Sequence, residues 1–296
     1  MINIKIKDRM SSHDSSCYPD TNDIRYIRNL IPGGDIGINV GDVVIYTDNS
    51  LTDINNIASK NIALLIESPE ITKISYEYIS NNNTKFDTVL TFDKRLLDRG
   101  ENFKLNVYGT TWLNEQYRKI WNKNKLCSFI LSNKNQTSGH KFRNNLANVI
   151  STDSIFNFVD LYGGNYKHIS YTTTRNWNPS HCSTHISNEK ILGLKDYMFS
   201  ISCENCKMDY YFTEKLIDCF LSGTVPIYYG CPSISNFFNI NGIIMIDTEK
   251  DCMDILQTLT FEKYNEMMPY IQENYEKAKQ YTHLHINPSN IDILKN

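Results

Sequence analysis

The chain has 296 residues, 41% of them hydrophobic and 21% charged, with a formal net charge of −3. That length holds one large domain or two of ordinary size, and the composition is that of a soluble globular protein. The small negative charge argues against nucleic acid or an anionic membrane as the main partner. The opening run is too short and too polar for a signal peptide or a stable membrane insertion.

Met1 to Lys7 alternates apolar and polar residues and reads as a first strand. A helical pattern is expected around Ile24, Ile27 and Leu30-Ile31, ending at Pro32-Gly33-Gly34. Gly33-Gly34-Asp35-Ile36-Gly37 is read as a loop, because no strand leads directly into it as a dinucleotide fingerprint requires. Asp42–Tyr46 and Ile62–Ile66 are apolar runs of strand length. A helix carrying Ile71, Ile74, Tyr78 and Ile79 follows and is broken at Asn81-Asn82-Asn83. Thr88–Phe92 is a further strand, followed by a short helix to Arg99-Gly100. This βαβ rhythm is what an α/β fold with a parallel sheet requires.

Glu67-Ser68-Pro69-Glu70 stands directly after the strand ending at Ile66. Pro69 favours an extended residue before it, which puts Glu67 at the carboxyl edge of the sheet, where open α/β sheets bind ligands. A carboxylate there suits a general base, with Glu70 as the fallback. Ser68-Pro69-Glu70 also suits a helix start with its acids facing the dipole.

Val107–Trp112 leads to a polar stretch near Asn122–Lys125, which sets the expected domains at 1–122 and 123–282, with 283–296 as a tail. Leu126–Leu131 starts a second βαβ series, followed by a polar loop from Ser132 to Gly139. Next comes a helix carrying Phe142, Leu146, Val149 and Ile150. His140, Lys141 and Arg143 lie at its start, suited either to an anion or to a solvated face. Phe156–Gly164 reads as a strand and turn. Residues 165–188 form a long polar segment around Trp177, whose ring suits either covering a sugar or base or anchoring the loop. The eight cysteines (17, 127, 182, 203, 206, 219, 231 and 252) have no repeating spacing, so they are expected to be reduced and buried. Cys203-x-x-Cys206 invites zinc, with His181, Cys182 or His185 as further ligands. A structural zinc site needs two such pairs and the sequence offers one, so no metal is expected.

The most informative stretch begins at Tyr197. Met198–Cys203 is one buried strand; Thr213 suits an N-cap; Leu216, Ile217, Phe220 and Leu221 form a helical stripe that Gly223 stops. Val225–Tyr229 follows as a strand, closed by Gly230 and Pro232. Glu204, Asn205, Tyr211, Thr213, Glu214 and Lys215 thus fall between a strand end and the first helical turn. A helix N-terminus with a lysine in its first turn suits a phosphate or diphosphate, and Glu214 beside it suits sugar or ribose hydroxyls. A capped surface helix has the same local features. Downstream, Gly242–Asp247 is the last expected strand, and Asp251–Tyr281 is largely helical with a break at Pro269.

Tyr197-Met198-Phe199, Cys203-Glu204-Asn205, the run Asp209 to Leu216 (DYYFTEKL), Gly223-Thr224-Val225-Pro226-Ile227 and Tyr229-Gly230-Cys231-Pro232 resemble the signature of the α1,3-fucosyltransferases. The resemblance is dense in this stretch and holds only in outline elsewhere. It implies a GT-B fold: two Rossmann-like domains with parallel sheets facing a central cleft, the donor nucleotide held by the C-terminal one, and a C-terminal helix from the segment Asp251–Tyr281 free to return to the first domain. It also implies an inverting transfer without a metal. Glu67 matches the base of the family's Glu-Ser-Pro element. Arg143, with Leu146 and Ile150 at +3 and +7, matches the arginine that clamps the donor diphosphate. Animal members carry an N-terminal membrane anchor that Met1–Lys7 does not resemble, so a cytoplasmic enzyme of bacterial or viral type is expected.

The resemblance suggests GDP-fucose as donor, an oligosaccharide or glycan as acceptor, and no cofactor. Residues gripping diphosphate and ribose serve UDP-sugars equally, so a UDP-xylose or UDP-hexose donor stays open. Cys203 and Cys206-Lys207-Met208 depart from the family pattern and leave base and sugar unassigned. A non-catalytic sugar-nucleotide- or glycan-binding protein on the same fold is the alternative. Glu67 together with Arg143 and Lys215 favours the enzyme.

Overall fold

The computed structural model describes residues 2–8, 24–28, 36–100, 102–132, 134–163, 190–282, 286 and 288–295. Trp177, Cys17, Cys182, His181, His185 and Gly33-Gly34 lie outside the described residues. The chain divides into two units: residues 1–110 with 209–211 and 283–296, and residues 111–208 with 212–282. No helix among the described residues is long and apolar enough to cross a membrane.

The first unit is built on a six-stranded parallel sheet. Its strands are β1 (Ile2–Lys7), β2 (Ile24–Arg28), β3 (Val43–Thr47), β4 (Lys60–Leu64), β5 (Thr88–Thr91) and β6 (Phe103–Leu105), in the order β2-β1-β3-β4-β5-β6. Ile4, Ile6, Ile45, Ile62, Leu64 and Leu90 fill one core cluster. Val44, Tyr46, Ala63 and Val89 fill another with Tyr76 and Ile79 of α1 (Lys73–Asn82). Covering on both faces is why β3, β4 and β5 read as unbroken apolar runs. The short α2 (Lys94–Leu97) is capped by Asp93, which accepts from the Arg95 N–H.

Residues 24–28 correct the sequence reading, for they form a strand where a helix was expected. The i, i+3 spacing of Ile24 and Ile27 fits a helix turn. Pairing along β1, from Ile2 with Ile24 to Ile6 with Arg28, decides for β, as tertiary context does for short segments.

The C-terminal residues join this unit's core. Ile286 and Leu294 are buried in it, the latter on α7 (Ile291–Lys295). The Asn290 amide donates to the Leu105 carbonyl at 2.8 Å, and Lys60 Nζ donates to the Ile293 carbonyl at 2.6 Å. Tyr211, also of this unit, packs against Phe92 with ring centroids 4.8 Å apart and planes tilted by 36°.

The second unit holds five parallel strands: β7 (Lys125–Ile130), β8 (Val159–Tyr162), β9 (Tyr197–Cys203), β10 (Val225–Tyr229) and β11 (Ile244–Met245). Their order is β11-β10-β9-β7-β8, and every residue of central β9 is buried. Among the described residues four helices accompany them: α3 (Ser138–Thr152), α4 (Glu214–Ser222), α5 (Glu249–Leu256) and α6 (Phe261–Ala278). Gly223 ends α4 at φ +71°, a left-handed position that suits glycine.

The expected break at Pro269 is not there, since α6 runs through it. The interruption falls instead between α5 and α6, where Thr260 caps a new helix by accepting from the Lys263 N–H. Ile271 and Asn274 are buried and Tyr264 donates to the Gly223 carbonyl at 2.8 Å, and this anchorage on both sides of Pro269 holds the helix together.

Candidate functional site

In the second unit β7 and β9 are neighbours, and each is followed by a helix whose N-terminus lies at the sheet's carboxyl edge. Thr137 caps α3, its hydroxyl accepting the His140 N–H at 3.2 Å. His140 completes a capping box, Nδ1 accepting the N–H groups of Gln136 at 3.3 Å and Thr137 at 3.4 Å. With Nδ1 an acceptor, the proton belongs on Nε2, which donates to Asn205 Oδ1 at 3.0 Å. Burial, then Arg143 and Lys215, hold the imidazole down at about 4, so it is neutral. His140 therefore contributes shape and a hydrogen bond where the sequence suggested a basic group.

The start of α3 meets the loop after β9 backbone to backbone. Gly139 N–H donates to the Asn205 carbonyl at 3.0 Å, and a Cβ at Gly139 would stand 2.0 Å from the Glu204 carbonyl oxygen. Only glycine fits there.

The start of α4 is held from within. Glu204, 0% exposed, accepts the Thr213 N–H at 2.8 Å and its hydroxyl at 2.6 Å, and Tyr228 donates to it at 3.4 Å. Burial raises its pKa against the pull of Lys215. Glu204 is thus an internal anchor for Thr213, not the ligand-facing group that the sequence suggested. Lys215, its side chain 22% exposed, reaches Thr213 Oγ1 at 3.0 Å and Glu214 at 3.1 Å. Burial alone would raise Glu214, but Lys215 and Lys190 hold it down to about 2. Lys190 pairs at 2.6 Å with Asp218, which also accepts from the Thr111 hydroxyl and the Trp112 N–H.

Arg143, 4% exposed, donates to Ser132 at its carbonyl (3.2 Å) and hydroxyl (2.9 Å), at the end of β7. Arg143 and Lys215 both lower His140, and both oppose the burial that pushes the Cys203 thiol up to about 12. Two cations therefore act on one place, where two helix N-termini converge. That arrangement suits an anion. Lys141 is exposed on the first turn of α3 and Asn205 is half-buried. Tyr211 is a packing residue of the first unit. Cys203 and Cys206 are buried free thiols, and among the described residues no group of three His, Cys, Asp or Glu is placed to hold a metal.

Comparison with known proteins bears on this geometry. The family model described as glycosyltransferase family 10 (fucosyltransferase), C-terminal, matches residues 120–286, which include both helix starts. The chain belongs to glycosyltransferase family 10. It is 33% identical over 84 residues to the alpha-(1,3)-fucosyltransferase FucT of Helicobacter pylori, a stretch covering 27% of this chain and 17% of that relative's length. Crystal structures of alpha1,3-fucosyltransferase with GDP and with GDP-fucose each superpose with a TM-score of 0.54 at 16% identity. Both comparisons cover 100% of this chain and 90% of the other. The fold of this family 10 chain is therefore GT-B, with two parallel-sheet α/β domains.

In the first unit the sheet's carboxyl edge carries Glu67, half-buried just beyond β4, and Glu70, exposed. The Glu67 N–H donates to the Asp48 carboxylate, and Tyr76 donates to the Glu67 carbonyl at 2.8 Å. Asp48 went unread in the sequence although it directly follows β3, the same strand-end position that singled out Glu67. Lys190, Asp218 and Ser132 give no local signal, because their partners are distant in the chain.

Proposed function

We propose that this family 10 protein is an inverting glycosyltransferase that moves fucose from GDP-fucose to a glycan hydroxyl without a metal ion. Family membership supports the reaction class, and the GDP and GDP-fucose named for the structural relatives support the donor. The observation that carries the reading is the convergence of the α3 and α4 N-termini beside Arg143 and Lys215.

Arg143 and Lys215, with the positive end of the α4 dipole, stabilise the diphosphate as its charge grows. Ionised Glu214 accepts hydrogen bonds from ribose hydroxyls, and Asn205, oriented by His140, adds a polar contact. Glu67 takes the proton of the acceptor hydroxyl. The acceptor oxygen attacks the anomeric carbon as the bond to the β-phosphate oxygen breaks, and GDP leaves with the electron pair. One displacement inverts the anomeric centre.

Calorimetric titration with GDP and UDP, followed by turnover of GDP-fucose on a glycan array with and without EDTA, tests the proposal. Preferred GDP binding and EDTA-resistant transfer are expected. Selective UDP binding would reassign the donor. Binding without transfer to any glycan would make this a binding protein, and loss of transfer restored by Mg²⁺ or Mn²⁺ would overturn metal independence.

A further inference from the structure

Beyond β4 the backbone loses its sheet partner, and side chains take over. The last ladder-like bond runs from the Leu65 N–H to the Leu90 carbonyl at 2.9 Å. The next two N–H groups donate to Asp48: Ile66 to Oδ1 at 3.1 Å, Glu67 to Oδ1 at 3.4 Å and Oδ2 at 3.3 Å. The Glu67 carbonyl is taken by the Tyr76 hydroxyl of α1 at 2.8 Å. Both polar groups of the Glu67 backbone are thus fixed, one by the element after β3 and the other by α1.

Asp48 occupies this position at a cost. Its φ is +31°, where a side chain is strained, and it is 3% exposed. Burial, with Glu67 next and Asp8 after it, pushes its carboxyl well above the usual range. A buried acid on a strained backbone beside a second acid is a poor way to secure a loop, and such costs concentrate where geometry serves function. We propose that Asp48 and Tyr76 are positioning residues that aim the Glu67 carboxylate. The inference rests on the proposed base role of Glu67.

The test measures fucose transfer from GDP-fucose to the acceptor selected on the glycan array. The variants are Asp48→Asn, Tyr76→Phe and Glu67→Gln, with the two double variants that contain Glu67→Gln. Asp48→Asn and Tyr76→Phe should each lower kcat, roughly ten- to hundredfold for a misaimed catalytic group. The KM for GDP-fucose and the calorimetric affinity for GDP should stay at parent values. Neither change should lower kcat further in the Glu67→Gln background, because each acts through that carboxylate. Parent kcat in both single variants beside an impaired Glu67→Gln overturns the positioning role and leaves the base in place. So do losses that multiply with that of Glu67→Gln, which mark a general structural defect. A fully active Glu67→Gln instead removes the base reading, and this inference with it. If Asp48→Asn fails to fold, Tyr76→Phe decides by the same criteria.

Discussion

Lys215 and Arg143 bring positive charge to the same spot by different routes. Lys215 is partly solvated and shares its ammonium among Thr213, Glu214 and Glu204. Arg143 is buried and braced on Ser132. Lys215→Ala and Arg143→Ala should each weaken GDP binding in calorimetry and cut turnover by ~10²–10³-fold, the range for a group that stabilises developing charge. A variant that binds and turns over like the parent would return that residue to a structural role. The acids make opposite pH predictions. Glu214 is depressed from 4.5 to about 2, so its stabilisation is present above pH 4.5 and is lost as pH falls toward 2. Glu214→Gln should flatten the acid limb of the Tm curve across that window. Asp48 is raised from 3.8 by burial and by Glu67 and Asp8, so its contribution is full below 3.8 and is lost as pH rises. The Tm of Asp48→Asn relative to the parent should therefore climb with pH from 3.8 upward, and a difference independent of pH would contradict the buried acid.

The first turn of α3 meets residues 204–205 with no room for a side chain at Gly139. Gly139→Ala places a methyl 2.0 Å from the Glu204 carbonyl, where backbone rather than a flexible side chain would have to move. Overpacking of this kind costs about 1–3 kcal/mol, and it should also lower GDP affinity by parting the two helix starts. Urea unfolding and calorimetry on one preparation check both effects, and unchanged values would show that the loop yields freely. The strands of the two units were legible to different degrees. The strands β3, β4, β5, β7, β9 and β10 are buried on their faces and announce themselves as apolar runs. The two-residue β11 lies inside the longer run Gly242–Asp247 that reads as a strand, the three-residue β6 is too short to carry a pattern, and β2 needed its partner β1 to be recognised. Lys215 and Arg143 stand out in the sequence because each lies in the first turns of a helix that follows a strand. Asp218 does not, since its partner Thr111 lies 107 residues away. Glu204 was visible as a residue and misread as a role, because the sequence does not reveal that its carboxylate turns inward to Thr213.

At the scale of the molecule, the proposed chemistry is divided between two units with separate cores. Glu67, Asp48 and Tyr76 belong to the first; Arg143, Lys215 and Glu214 belong to the second. Variants should segregate accordingly. Glu67→Gln keeps the size of the side chain and removes the base, so transfer should fall by ~10²-fold or more. Its GDP affinity should match the parent's, because the nucleotide is assigned to groups of the other unit. Lys215→Ala should lower both. The product's anomeric configuration, read by NMR on the parent enzyme, should be inverted relative to the donor, since a single displacement needs one base and no protein nucleophile. A retained configuration would overturn the single in-line displacement, whether it arose from a covalent intermediate or from attack on the leaving group's own face. A Glu67→Gln variant that loses GDP affinity as steeply as Lys215→Ala would show that the division of labour is wrong, even if transfer fell as expected.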